Sequence, residues 1–250
     1  MCCFTRPVKN VKSTRIFARE GQGTSQFVVY QMSLDAKEDL AMVLPLPVDQ
    51  TKGEGALEFI NLEEYPSFFS DLDQGFNHGV PPALDSAGLR SKAEPKLKVY
   101  EVGSFEASFV PGVKDFSRLD ERFRLPTHVW DQLPEFRRYG FAVFKLKKGS
   151  RKYHPMALSF YRSDPSRLFF PTVHIHDGKF HLLAHFDHLL YCQPSRVHLN
   201  VMGWEESHTH AAQFTNIEKA KGIIDANEHC YKKELSGKLA NRDTLVEKIG

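Results

Sequence analysis

An excess of charge of either sign is the first thing this chain lacks: 33 Lys and Arg stand against 31 Asp and Glu, a net charge of +2 over 250 residues. Nucleic-acid binders concentrate positive charge to neutralise phosphates, so the balance predicts no nucleic-acid partner. The basic stretch Lys145, Lys147, Lys148, Arg151 and Lys152 surrounds a Gly149-Ser150 turn and reads as a solvated loop. Long apolar runs are also missing. No window approaches the ~18 apolar residues that span a bilayer, which predicts no membrane contact. Lys9, Asn10, Lys12 and Ser13 interrupt any secretory apolar region, so the expected location is the cytoplasm. Cysteine is scarce: Cys2, Cys3, Cys192 and Cys230, with no Cys-x-x-Cys spacing. A zinc ribbon is thereby excluded, and in a reducing compartment the four are expected to be thiols. Internal repeats, low-complexity segments and a clear linker are absent, so residues 1–250 are expected to form a single domain.

What is abundant is phenylalanine, 20 residues against two Trp, many alternating with polar residues as strands require. Thr14–Arg19 and Gln26–Met32 flank Glu20-Gly21-Gln22-Gly23 and predict a hairpin. Leu40–Val48 begins as a buried strand, but Pro45 and Pro47 remove ladder donors, so it should end or lie at an edge there. Helical spacing marks 62–76, 116–123, 128–136 and 215–226. Further strands are expected over 96–110, 139–146, 154–161, 196–204 and 229–235. The segment 79–95, rich in Gly, Pro, Ala and Ser, is the best candidate for a mobile loop. The fold class is therefore α+β, a mostly antiparallel β-sheet with a few short helices.

Three blocks carry a family resemblance. The first is Cys3-Phe4, Pro7-Val8, Arg15-Ile16-Phe17-Ala18 and Val43-Leu44-Pro45-Leu46-Pro47. The second is Glu101-Val102-Gly103-Ser104-Phe105-Glu106-Ala107. The third is Arg124-Leu125-Pro126 with Phe141–Leu146 and His154-Pro155-Met156. Over roughly residues 1–165 the chain resembles an uncharacterised bacterial family, the domain of unknown function numbered 2330. The resemblance implies one continuous bacterial domain and supplies no activity.

Chemistry concentrates in a His-rich segment. If Asp177-Gly178 forms a two-residue type I′ turn, the strands 168–176 and 179–192 pair, and His174 stands opposite His181. His176 shares that face by the two-residue strand period, as do Thr172, Leu183, His185 and Asp187. Phe169, Val173, Ile175, Phe180, Leu182, Phe186 and His188 fall on the other, apolar face. Three imidazoles so gathered suit Zn²⁺ at about 2.0–2.1 Å, with copper or non-haem iron as alternatives. His208 or His210 would complete the set. The leading expectation is thus a zinc-binding protein with His174, His176, His181, His208 and His210 as candidate ligands, whether structural or water-activating. A second expectation is a non-catalytic peptide- or protein-binding domain that uses an open edge at Leu40–Val48 and a groove lined by Phe68, Phe69 and Phe76. A third is an N-terminal cysteine hydrolase: loss of Met1 would place a free amine beside the Cys2 thiol, the base and nucleophile in one residue.

Overall fold

The computed structural model describes residues 2–6, 8, 10–36, 38–77, 100–102, 105–124, 133–146, 149–194 and 199–248. The expected loop at 79–95, the first part of the 128–136 helix and the start of the 196–204 strand lie outside these residues. Among the described residues, no helix is long and apolar enough to cross a membrane.

The alternating segments do form strands, and they assemble into two large sheets. One has six strands: β1 (Cys2–Phe4), β4 (Leu40–Leu46), β6 (Tyr100–Val102), β7 (Phe105–Val110), β8 (Gly140–Leu146) and β12 (His174–Ile175). Their order across the sheet is β12-β1-β4-β8-β7-β6. The other follows the path β14-β15-β13-β2-β3-β10-β5. Its members are β2 (Asn10–Glu20), β3 (Ser25–Ala36), β5 (Leu57–Asn61), β10 (Met156–Tyr161), β13 (Leu183–Gln193), β14 (Glu205–Glu206) and β15 (Tyr231–Ala240), with β9 (Gly149–Lys152) paired to β3 off the path. A small third sheet joins β11 (Arg167–Phe170) to β16 (Thr244–Glu247). Pairing is mostly antiparallel, but β1 with β12 and β13 with β2 run parallel.

The main core lies between the sheets. Phe4, Met42, Leu44 and Phe144 from the six-stranded sheet pack with Ile16, Val28, Tyr30, Leu158 and Leu190 from the larger one. The outer face of the larger sheet, through Phe17, Val29, Ala157 and Tyr191, is covered by α1 (Phe68–Gln74) and by the 211–230 segment. The outer face of the smaller sheet is covered by 3-10 turns at Val113–Arg118, Glu121–Phe123 and Pro134–Arg138. Phenylalanine serves all three layers, each buried ring contributing about 1.5–3 kcal/mol.

Three expectations are corrected here. Leu40–Leu46 is buried and ends before Pro47 as expected, but it is an interior strand flanked by β1 and β8 and offers no open edge. Its proline is tolerated because β1 pairs only with Met42 and Val43, so at Pro45 β8 alone continues the ladder. Phe68, Phe69 and Phe76 are core residues packed on Phe17 and Tyr191, not a groove lining. The 215–226 segment is irregular because Lys221 and Gly222 adopt φ of 50° and 78°, left-handed values that break a helix.

One charged group is built into the interior. Arg162 donates to Glu20 at 2.8 Å and to the carbonyls of Thr24 and Arg167, and Lys248 reaches the same Glu20 oxygen at 2.9 Å. This network ties the β2–β3 turn to the end of β10 and to the C-terminal strand.

Candidate functional site

The Asp177-Gly178 turn exists, but it does not close a hairpin. Gly178 has φ of 80°. Asp177 caps the turn itself, accepting from the Lys179 amide at 3.0 Å and meeting His181 Nε2 at 2.9 Å. The two flanking segments then part company. β12 joins the six-stranded sheet beside β1, whereas β13 begins at Leu183 and joins the other sheet between β15 and β2. A turn signal fixes a local bend; which strand each arm pairs with is decided by the competing partners. β1 and β15 win.

The histidines therefore regroup. His181 is exposed and held by Asp177, whose carboxyl it keeps below the usual carboxylate range through their hydrogen bond. It is not opposite His174. His208 is exposed, with its amide bonded to the Gly75 carbonyl at 2.9 Å. His210 is exposed and stacks edge-on with His229 at 4.6 Å, in a separate surface group with Glu206 and Ser207. Of the five expected ligands, the structure brings together His174 and His176.

Their third companion is His188, which strand alternation assigns to the apolar face. At Phe186 and His188 that face is internal, whereas Leu182, expected on it too, is 81% exposed; His174 turns inward to join them. The His174 and His188 rings are 4.6 Å apart at 77°, and Phe186 stands 4.6 Å from His174 and 5.2 Å from His188. His176 Nε2 is 3.2 Å from His174 Nδ1, and its ring packs on Phe4 of β1. His174 is 7% exposed and His188 1%. The backbone around His174 is held by Asn241: its Oδ1 accepts from the His174 amide, and its Nδ2 donates to the His174 and His181 carbonyls, at 2.8–2.9 Å. Asn241 carries no sequence signal that would have singled it out.

The electrostatics follow from enclosure. Burial, reinforced by the neighbouring His174, pushes the His188 pKa down to about 2, so its imidazole is neutral at physiological pH. Among the described residues, His174 Nε2 and His188 Nδ1 are buried without a hydrogen-bond partner, a condition that costs about 1–3 kcal/mol for each such group. No three or more His, Cys, Asp or Glu side chains among the described residues stand together as a metal-holding group. Cys2 is aligned with His174 in the parallel β1–β12 register, so the backbone of the candidate nucleophile borders the same cluster.

A second concave region lies across the outer face of the larger sheet, a cleft of about 1210 Å³. Register places Arg19, Phe27, Ser159 and Glu58 in one row over four strands as its floor. Lys221 and Gly222 form part of its wall, and they are held there by Arg19, which donates to the Gly222 and Ile223 carbonyls. Its far side is β5, which ends the sheet path with β10 as its neighbour.

No family model matches the chain, and no curated protein matches it. Solved structures do. The crystal structure of baculovirus P35 aligns with a TM-score of 0.50 at 13% identity, covering 96% of this chain and 97% of that one. P35 in the crystal structure of the caspase-8/P35 complex aligns equally, with a TM-score of 0.50, 13% identity, and coverage of 96% and 97%. At this identity the likeness speaks to architecture, and it is nearly end to end: the chain has the fold of baculovirus P35.

Proposed function

We propose that this chain is a protein-binding domain whose partner is a cysteine protease of the caspase class. The observation that carries the reading is the caspase-8/P35 complex, in which a chain of the same fold, matched over 97% of its length, is bound to such a protease. The architecture described above suits that role. A framework of two packed β-sheets, covered on both outer faces and Phe-rich inside, resists local opening, which is what a protein must do to remain folded while engaged by a protease. Protein partners also need no dedicated pocket; standard interfaces bury about 1,600 Å² of largely flat surface.

The experiment is direct incubation of the full chain with active caspase-8, followed by size exclusion and intact mass. The expected result is a stable complex and loss of protease activity towards a peptide substrate. Intact masses locate any cut. Caspases hydrolyse after aspartate, and residues 79–95 contain one, Asp85 in Ala83-Leu84-Asp85-Ser86. Cleavage there, lost in Asp85→Ala, is the outcome expected. Full protease activity and an uncut chain at equimolar concentrations overturn the proposal.

A further inference from the structure

One edge of the larger sheet is left open. β15 (Tyr231–Ala240) pairs with β13 along its whole length on one side, but β14 covers its other side only at Tyr231 and Lys232. Beyond Lys232 no described strand lies on that side. We propose that residues 233–239 form a homodimer interface, to which the same segment of a second copy of this chain adds as an antiparallel strand across a two-fold axis at Ser236.

The edge has the properties such pairing needs. Unpaired backbone donors and acceptors along an edge are a template for another strand, and proteins commonly shorten, cover or bend such edges. Here the strand keeps unbroken register with β13 up to Ala240, and Glu234 and residues 236–240 are exposed. Large apolar side chains accompany them: Leu239 is 37% exposed, Leu183 52% and Leu182 81%. Leu183 and Leu239 belong to the last rungs of the β13–β15 ladder, so this apolar surface is continuous with the open edge.

The order of the charges selects a second copy as the occupant. In a two-fold antiparallel pair the residue on the axis faces itself, and residues equally far before and after it face each other. With Ser236 on the axis, Glu234 stands opposite Lys238 of the second copy, and Lys238 opposite its Glu234. Opposite charges facing across strands attract, and like charges repel. An axis at Leu235 instead sets Lys232, already beside β14, against Lys238. An axis at Gly237 sets Glu234 against Ala240 and forms no ion pair. The Ser236 register suits the other positions as well. Lys233, whose ammonium lies 5.8 Å from the centre of the Trp204 ring, falls opposite Leu239, so its alkyl stem can cover that exposed leucine. Gly237 falls opposite Leu235, and open space surrounds the point where its Cβ would be. The contact is self-complementary, as a two-fold interface requires, and it asks nothing of a protease partner.

The test is sedimentation of the full chain over a range of concentrations. A reversible monomer–dimer equilibrium is expected, and amide exchange at 233–239 should slow as concentration rises. Glu234→Lys and Lys238→Glu each bring like charges face to face and should weaken dimerisation by about tenfold or more. Combining them exchanges the two signs and should restore it. Ser236→Cys, facing its own copy across the axis, should form an intermolecular disulfide on mild oxidation, whereas Ala240→Cys should not. Cys3, Cys192 and Cys230 are buried and stay out of that reaction. The wild-type exchange measurement decides the matter even where a variant fails to fold. A chain monomeric at every concentration, a dimer whose exchange at 233–239 does not change with concentration, or a dimer indifferent to both single charge reversals overturns the proposal.

Discussion

His188 shows what a single enclosed side chain does to the whole molecule. In the unfolded chain its imidazole takes a proton near the ordinary value of about 6.5, but in the native protein burial holds protonation off until about pH 2. Between those values the unfolded state binds more protons, so native stability falls as pH drops below about 6.5 and is fully present above it. Lowering the pH from 7.5 to 5.5 should cost about 1.4 kcal/mol through this group, and His188→Phe should remove that part of the slope. Denaturant titrations of both proteins at the two pH values check it; parallel pH profiles would contradict it. A second residue-scale prediction concerns Glu20. Its partner Arg162 has a side chain only 2% exposed, so Glu20→Gln leaves a buried cation short of its counter-charge. A loss of about 3–5 kcal/mol is expected for breaking such a pair, readable as a lower denaturant midpoint with an unchanged slope.

At the scale of elements, β2 and β3 fall where apolar and polar residues interleave, and β4, β8 and β10 where short apolar runs mark strands buried on both faces. Two-residue periodicity reports which residues share a face, and it correctly placed Phe186 and His188 together on an internal surface. It does not report pairing partners. The Asp177-Gly178 signal therefore predicts a hairpin with His181 opposite His174, whereas β12 pairs with β1 and β13 with β15 and β2. Register is a contest among all strands, decided over the whole sheet, and a short Asp-Gly turn has no vote beyond its own bend. The 215–226 helix failed for a different reason: helical spacing was present, but Lys221 and Gly222 take left-handed conformations and the side chains serve as cover for Phe17 and Tyr191. Close packing between layers gives a prediction at this scale. A Cβ placed on Gly140 at the start of β8 would lie 2.7 Å from the Phe109 ring and 2.9 Å from Val48. Gly140→Ala should destabilise the protein by about 1–3 kcal/mol, as overpacking does. A thermal melt unchanged from wild type would show that the β7–β8 contact gives more easily than its geometry indicates.

For the molecule as a whole, the near end-to-end match makes the fold that of baculovirus P35, although at 13% identity most of the side chains that build it are different. A β framework accepts many sequences as long as alternation and buried volume suit it, because apolar residues of similar size can replace one another. Function does not travel with architecture by itself, and the sequence held no marker of a protease partner, because a protein-binding surface is composed much like any other surface. The account therefore stands on one measurement. Full-length chain mixed with active caspase-8 at equimolar concentration should co-elute with it and silence its peptidase activity. Separate elution, with the protease fully active and the chain intact, would contradict the account.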